Sequence, residues 1–172
     1  MAIRYPWRHV LVATDFSKGS DAALNLGRQL AHREGASLTL LHVADVSSLG
    51  LGMTVKPENH PEGISVEAFV REGAFREAGA QLDRVGAVRE SVKIYVAFGS
   101  PAIAIVDEAK KLDADLIVMG THGRSGLAHL FVGSVAERVV RASAIPVLTV
   151  RVVDDDTHMV DEEQIVADEA AG

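Results

Sequence analysis

Cysteine is absent from the 172 residues. Disulfides, thiolate metal sites and cysteine nucleophiles are thereby excluded. Aromatic residues are scarce at 5%, whereas hydrophobic residues make up 48%, so a core must be aliphatic. No apolar run approaches the roughly 18 residues that span a bilayer. The opening MAIRYPWRHVLVATDF has only Val10-Leu11-Val12-Ala13 before Asp15, too short for the apolar region of a secretory signal. A cytoplasmic protein with no membrane insertion is expected. The seven histidines show no H-x₃-H or H-E-x-x-H spacing, so no protein-held metal is expected. Also missing are the P-loop G-x-x-x-x-G-K-[ST], the G-x-S-x-G nucleophile elbow, and a G-x-G-x-x-G after the first strand.

Net charge is −7, but residues 152–172 hold eight Asp and Glu and no Lys or Arg. Removing those eight charges from −7 leaves +1 for residues 1–151. That part is near neutral and carries no basic stripe for nucleic acid. The expected organisation is one domain over 1–151 and an acidic tail over 152–172, the tail disordered by composition.

What is present reads as alternating strands and helices. Residues 8–14 (RHVLVAT) form a short buried strand ending at Asp15. Ser17 or Ser20 caps a helix over 18–34, whose apolar stripe is Ala23, Leu26, Gly27, Leu30 and Ala31. Residues 37–43 (SLTLLHV) are a second strand, with His42 read as a packed histidine. Residues 44–65 show no periodicity and read as a long loop. A helix over 66–85 follows, with Val66, Phe69, Val70, Ala74, Ala78, Leu82 and Val85 on one stripe. Residues 92–98 are strand three. Gly99-Ser100-Pro101 starts a helix with Ser at the N-cap and Pro in the first turn. Strand four is 115–119, a helix begins at Ser134 with the capping box Ser134-Val135-Ala136-Glu137, and strand five is 146–150. This order predicts a doubly wound, Rossmann-like α/β domain with a parallel five-stranded sheet and helices on both faces. Such folds bind ligands beyond the carboxyl ends of the strands.

The stretch GTHGRSGLAHLFVGS, residues 120–134, places four glycines between a strand and a helix. It ends at a helix N-terminus, where unpaired N–H groups and the positive dipole end favour phosphate. Gly120, Gly123 and Gly133 would let the backbone approach phosphate oxygens. Ser134 has a hydroxyl for phosphate or for capping, and Arg124 a charge for a phosphate contact. His122, also in the loop, reads as an exposed or orienting histidine rather than a general base. Asp15 is placed to accept hydrogen bonds from ribose or adenine, to cap the first helix, or both.

Gly120-x-x-Gly123, nine residues, then Gly133-Ser134 resembles the G-x₂-G-x₉-G-[S/T] signature of ATP-binding universal stress proteins. VLVATDFS, LTLLHV, AFGSPAxAI and IPVLTV resemble the same family, over residues ~7–151. The resemblance implies a strand order 3-2-1-4-5, of the adenine nucleotide alpha hydrolase-like type, with ATP across the carboxyl edge. It implies adenine and ribose contacts from Ala13, Thr14 and Asp15, and a backbone contact from Val43. Ribose and phosphates would meet Met119, Gly120, His122, Gly123, Arg124, Gly133, Ser134 and Val135. Mg²⁺ would accompany the triphosphate, held mostly by the phosphates. A homodimer through residues ~146–150 and a regulatory partner of unknown identity are further implications. The S-G-G-x-D-S and H-I-G-H motifs of related ATP-activating folds do not occur. The leading expectation is an ATP-binding regulatory protein of the stress response. A slow ATPase or self-phosphorylating enzyme, and an AMP or cAMP sensor, are the alternatives, so enzymatic activity stays open.

Overall fold

The computed structural model describes residues 5–45, 52–121 and 133–152. His122, Gly123, Arg124, part of the 44–65 loop and nearly all of the acidic tail lie outside the described residues.

Seven strands and four α-helices are described: β1 (His9–Thr14), α1 (Lys18–Glu34), β2 (Ser37–Ala44), β3 (Thr54–Val55), β4 (Ile64–Ser65), α2 (Val66–Arg84), β5 (Lys93–Phe98), α3 (Pro101–Lys111), β6 (Leu116–Gly120), α4 (Ser134–Ala142) and β7 (Val147–Val150). The main sheet runs β5-β2-β1-β6-β7, with every adjacent pair parallel. Counting only these five strands, the order is the expected 3-2-1-4-5. Val12 sits at the centre, opposite Leu40 on β2 and Val118 on β6.

Alternate residues of the central strands feed two separate cores, because successive side chains point to opposite faces. Val10, Val12, Leu38, Leu40 and Val118 pack with Ala23, Leu24 and Ala31 of α1 and Ala78 and Leu82 of α2. Leu11, Ala13, Leu41 and Ile117 pack with Ala102, Ile105 and Ala109 of α3 and Ala136 and Val139 of α4. Both faces are thus covered, which is why the strands read as continuous apolar runs rather than alternating ones.

Helix boundaries follow local chemistry. Ser17, rather than Ser20, is the N-cap of α1 and accepts from the Ser20 amide. Gly35 closes that helix with φ +64, a left-handed conformation that glycine adopts without penalty.

Several expectations are corrected. On α1 the buried stripe uses Leu24, while Leu26 and Leu30 are only partly covered. On α2, Phe69 is exposed and Gln81 is fully buried. Ser100 occupies the N-cap of α3, but its side chain makes no cap bond. The capping box at α4 does not form: Gly133 is the N-cap, Ser134 is the first helical residue, and Glu137 pairs with Arg141 one turn on. The 44–65 loop contains an antiparallel ribbon of β3 and β4, pinned to α2 by Val66 N–H donating to Met53 O. Two-residue strands are too short for periodicity to reveal.

Gly27 marks a close approach of α1 to the sheet: a Cβ there would lie within van der Waals overlap of Val12 Cγ2, at 2.4 Å. Gly73, in α2, faces only Arg76 Nη2 at 3.9 Å. Gly27→Ala is therefore expected to lose about 1–3 kcal/mol through overpacking, despite alanine's better helix propensity. Gly73→Ala should gain roughly 0.5–1 kcal/mol. Urea unfolding of the two variants checks the pair, and stabilisation of both would contradict the close packing at Gly27.

Candidate functional site

β1 and β6 are neighbours in the sheet, yet the chain leaves them toward opposite faces. After β1 it enters α1 on one side, and after β6 it proceeds to α4 on the other. A cleft opens between these exits, as doubly wound sheets dictate. It has a volume of about 260 Å³, near the lower end of small-molecule pockets, roughly 300–1,000 Å³.

The floor is apolar: Ala13, Leu41, Val43, Ile105 and Met119 line it, with Pro101 and Ala136 at the sides. Polar residues complete the lining: Thr14, Ser20 and Thr121, which are buried, and Asp15 and Ser134, which are more exposed. An apolar floor accommodates a flat heteroaromatic ring, and polar lining groups orient what is attached to it.

Nine sequence-predicted residues line this one cleft: Ala13, Thr14, Asp15, Val43, Met119, Gly120, Gly133, Ser134 and Val135. His122, Gly123 and Arg124 lie outside the described residues. His42 lies beneath Phe16, ring centroids 4.4 Å apart, with its Nδ1 2.9 Å from Thr14 O. It is a partnered, half-buried residue of the strand.

Two helix N-termini point at the cleft and differ in how they are satisfied. At α1, Asp15 Oδ1 accepts from Ser17 N–H at 3.1 Å and from Ser17 Oγ at 2.6 Å, while Ser17 Oγ accepts from Ser20 N–H. The carboxylate thus sits at the positive end of α1. At α4, the N-cap is Gly133, and among the described residues no side chain caps the helix. Its first intrahelical bond runs from Glu137 N–H to Gly133 O, so the amides of Ser134, Val135 and Ala136 precede the ladder. The Ser134 hydroxyl, relieved of capping, is exposed beside them. An anion resting there meets amide donors and the helix dipole together.

The turn after β1 is strained. Phe16 has φ +66, a left-handed conformation that costs a bulky residue of order 1–3 kcal/mol. Its N–H donates to Thr14 Oγ1 at 2.9 Å. Thr14 and Ser20 are in turn bonded to the buried Gln81, which sequence reasoning passed over. The signal was available: position 81 lies seven residues beyond Ala74 on the stripe that continues through Ala78 and Val85.

Gly120 has an ordinary φ but no room. A Cβ would stand 2.9 Å from Gly19 C and 3.1 Å from Gly19 O. Both are backbone atoms of α1, so the first turn of α1 is seated directly on the end of β6.

The fold and crevice define a doubly wound, Rossmann-like α/β architecture. The universal stress protein family model matches residues 6–151. The chain is 36% identical over 150 residues to the universal stress protein MJ0531 of Methanocaldococcus jannaschii, covering 84% of this chain and 82% of that one. Among solved structures, MJ0577 of the same organism superposes with a TM-score of 0.65 at 28% identity, covering 86% of this chain and 98% of that one. A universal stress protein solved in complex with cAMP gives a TM-score of 0.57 at 27% identity, covering 84% and 97%. The chain belongs to the universal stress protein family.

Gly120→Ala is expected to push the first turn of α1 off β6 and to lower stability by about 1–3 kcal/mol. Chemical denaturation measures this, and an unchanged transition would contradict the contact with Gly19.

Proposed function

We propose that this chain is an adenine-nucleotide-binding universal stress protein, with ATP as its ligand and a regulatory role in the stress response. The reading rests on one coincidence. An apolar floor, a carboxylate at the end of β1 and an uncapped helix N-terminus converge on a single cleft. Adenine would lie over Leu41 and Val43, with its edge toward the backbone at the end of β2. Asp15 would accept from the ribose hydroxyls. The phosphates would rest on the amides of Ser134, Val135 and Ala136, with Gly120, Gly133 and the Ser134 hydroxyl beside them. His122, Gly123 and Arg124 complete the proposed set on sequence grounds. Mg²⁺ would travel with the triphosphate and be held mainly by its oxygens.

The biological unit proposed here is a homodimer paired through β7. That strand is an edge of the main sheet, and an edge carries backbone groups open to a further strand. Nucleotide state would then govern dimer shape or the choice of a regulatory partner, in the cytoplasm. Among the described residues, no helix is long and apolar enough to cross a membrane.

A cyclic-nucleotide sensor is the second reading, favoured by the cAMP complex of a relative with the same fold. Calorimetric titration with ATP, ADP, AMP and cAMP separates the two. ATP is expected to bind at least about tenfold more tightly than AMP, the increment of one to two charge-assisted hydrogen bonds. Asp15→Ala should weaken all four ligands. Gly133→Val, at a φ of −54 that valine tolerates, should weaken ATP far more than adenosine. Preference for cAMP over ATP would favour the second reading, and no binding of any adenine nucleotide would refute both.

A further inference from the structure

Gln81 is a polar side chain with no exposure to solvent, on a helix that contributes no residue to the cleft lining. Its amide joins a chain of buried hydrogen bonds. Thr14 Oγ1 donates to Gln81 Oε1 at 2.8 Å, and Gln81 Nε2 donates to Ser20 Oγ at 3.2 Å. Ser20 Oγ donates to Ser17 O at 2.8 Å, and Phe16 N–H donates back to Thr14 Oγ1. One side chain from α2 thereby joins the last residue of β1, the left-handed Phe16 and the first turn of α1. Asp15 lies between the two residues so held, and its carboxylate is fixed by Ser17 within the same turn. A second link runs parallel on the surface, where Arg84 Nε and Nη2 reach Asp21 Oδ2 and Oδ1 at 3.1 and 3.0 Å. The buried link is the one that touches the strained turn.

Burying a carboxamide is unfavourable unless its hydrogen bonds are made, and removing one partner strands the others. A methionine at 81 would fill the same space, remove the donor to Ser20 Oγ and leave the Thr14 hydroxyl with Ser20 Oγ, 3.0 Å away, as its acceptor, so that α2 no longer touches the turn through a polar contact. The left-handed conformation of Phe16 persists only while its surroundings over-determine it.

We propose that Gln81 is a positioning residue for the nucleotide cleft: through Thr14 and Ser20 it holds the Thr14-Asp15-Phe16 turn in the conformation that aims Asp15 at the ligand, and so couples α2 to nucleotide occupancy. The inference rests on the nucleotide reading of the cleft and adds its regulation. Because Gln81 acts at the Asp15 end, its loss weakens ligands irrespective of phosphate number. The coupling is also reciprocal, so a bound nucleotide steadies α2.

The test compares the full-length parent, Gln81→Met, Asp15→Ala, the double variant, and Val85→Ala as a packing control at the C-cap of the same helix. Gln81→Met is expected to weaken AMP and ATP by the same factor, about tenfold. In the Asp15→Ala background the same change should add less than about twofold, the signature of two residues acting as one unit. Val85→Ala should leave affinity within about twofold while lowering the melting temperature. Equal affinity of Gln81→Met and parent, or losses that multiply in the double variant, would overturn the proposal. A parent that binds no adenine nucleotide would refute the reading of the cleft instead. The turn itself is still tested then, by NMR of the ligand-free protein. The stacked Phe16 and His42 ring resonances should move in Gln81→Met and stay in Val85→Ala, and unmoved rings would overturn the role of Gln81.

Discussion

A right-handed crossover can deliver a helix to only one face of a parallel sheet for a given direction of travel. From β1 the chain travels outward through β2 to β5, placing α1 and α2 on one face. It then returns across the sheet to β6 and continues outward through β7, placing α3 and α4 on the other. The reversal between β1 and β6 is the constraint on which the rest depends. It parts the two chain exits, opens the cleft, and brings Asp15 and the mouth of α4 to its rim without any long-range polar contact having to draw them there.

Packing turns that topology into a defined cavity. Gly27 lets α1 settle onto Val12, and Gly120 lets the first turn of the same helix rest on the end of β6. The helix that supplies Ser17 and Ser20 is therefore held against the sheet at two points. The cleft floor belongs to the aliphatic core itself, since Leu41, Ile105 and Met119 serve both. A substitution at these positions therefore changes the cleft and the core together.

Much of the fold was legible because its signals are local and strong. The apolar runs of β1, β2 and β6 and the Ser-Pro start of α3 are written in consecutive residues. The candidate site was legible for a related reason: glycines and a serine between strand and helix have few other uses. What was not legible depends on distant partners. The S-x-x-E at Ser134 reads as a capping box, yet Glu137 turns to Arg141 and the cap falls to Gly133. Phe69 has the right hydrophobicity for the stripe of α2 but lies on its exposed side, while Gln81 is buried because Thr14 and Ser20 await it. A polar residue finds its partners only once helices from different parts of the chain have docked.

In the proposed nucleotide complex, main-chain amides at the start of α4, rather than a lysine, would carry the phosphates. Amide NMR of isotopically labelled protein titrated with ATP and, separately, with adenosine tests this most directly. ATP is expected to shift the amide resonances of Ser134, Val135 and Ala136 strongly, while adenosine shifts those around Asp15 and Val43 and leaves the α4 amides nearly still. Saturating ATP that leaves the three α4 amides unmoved would contradict the account.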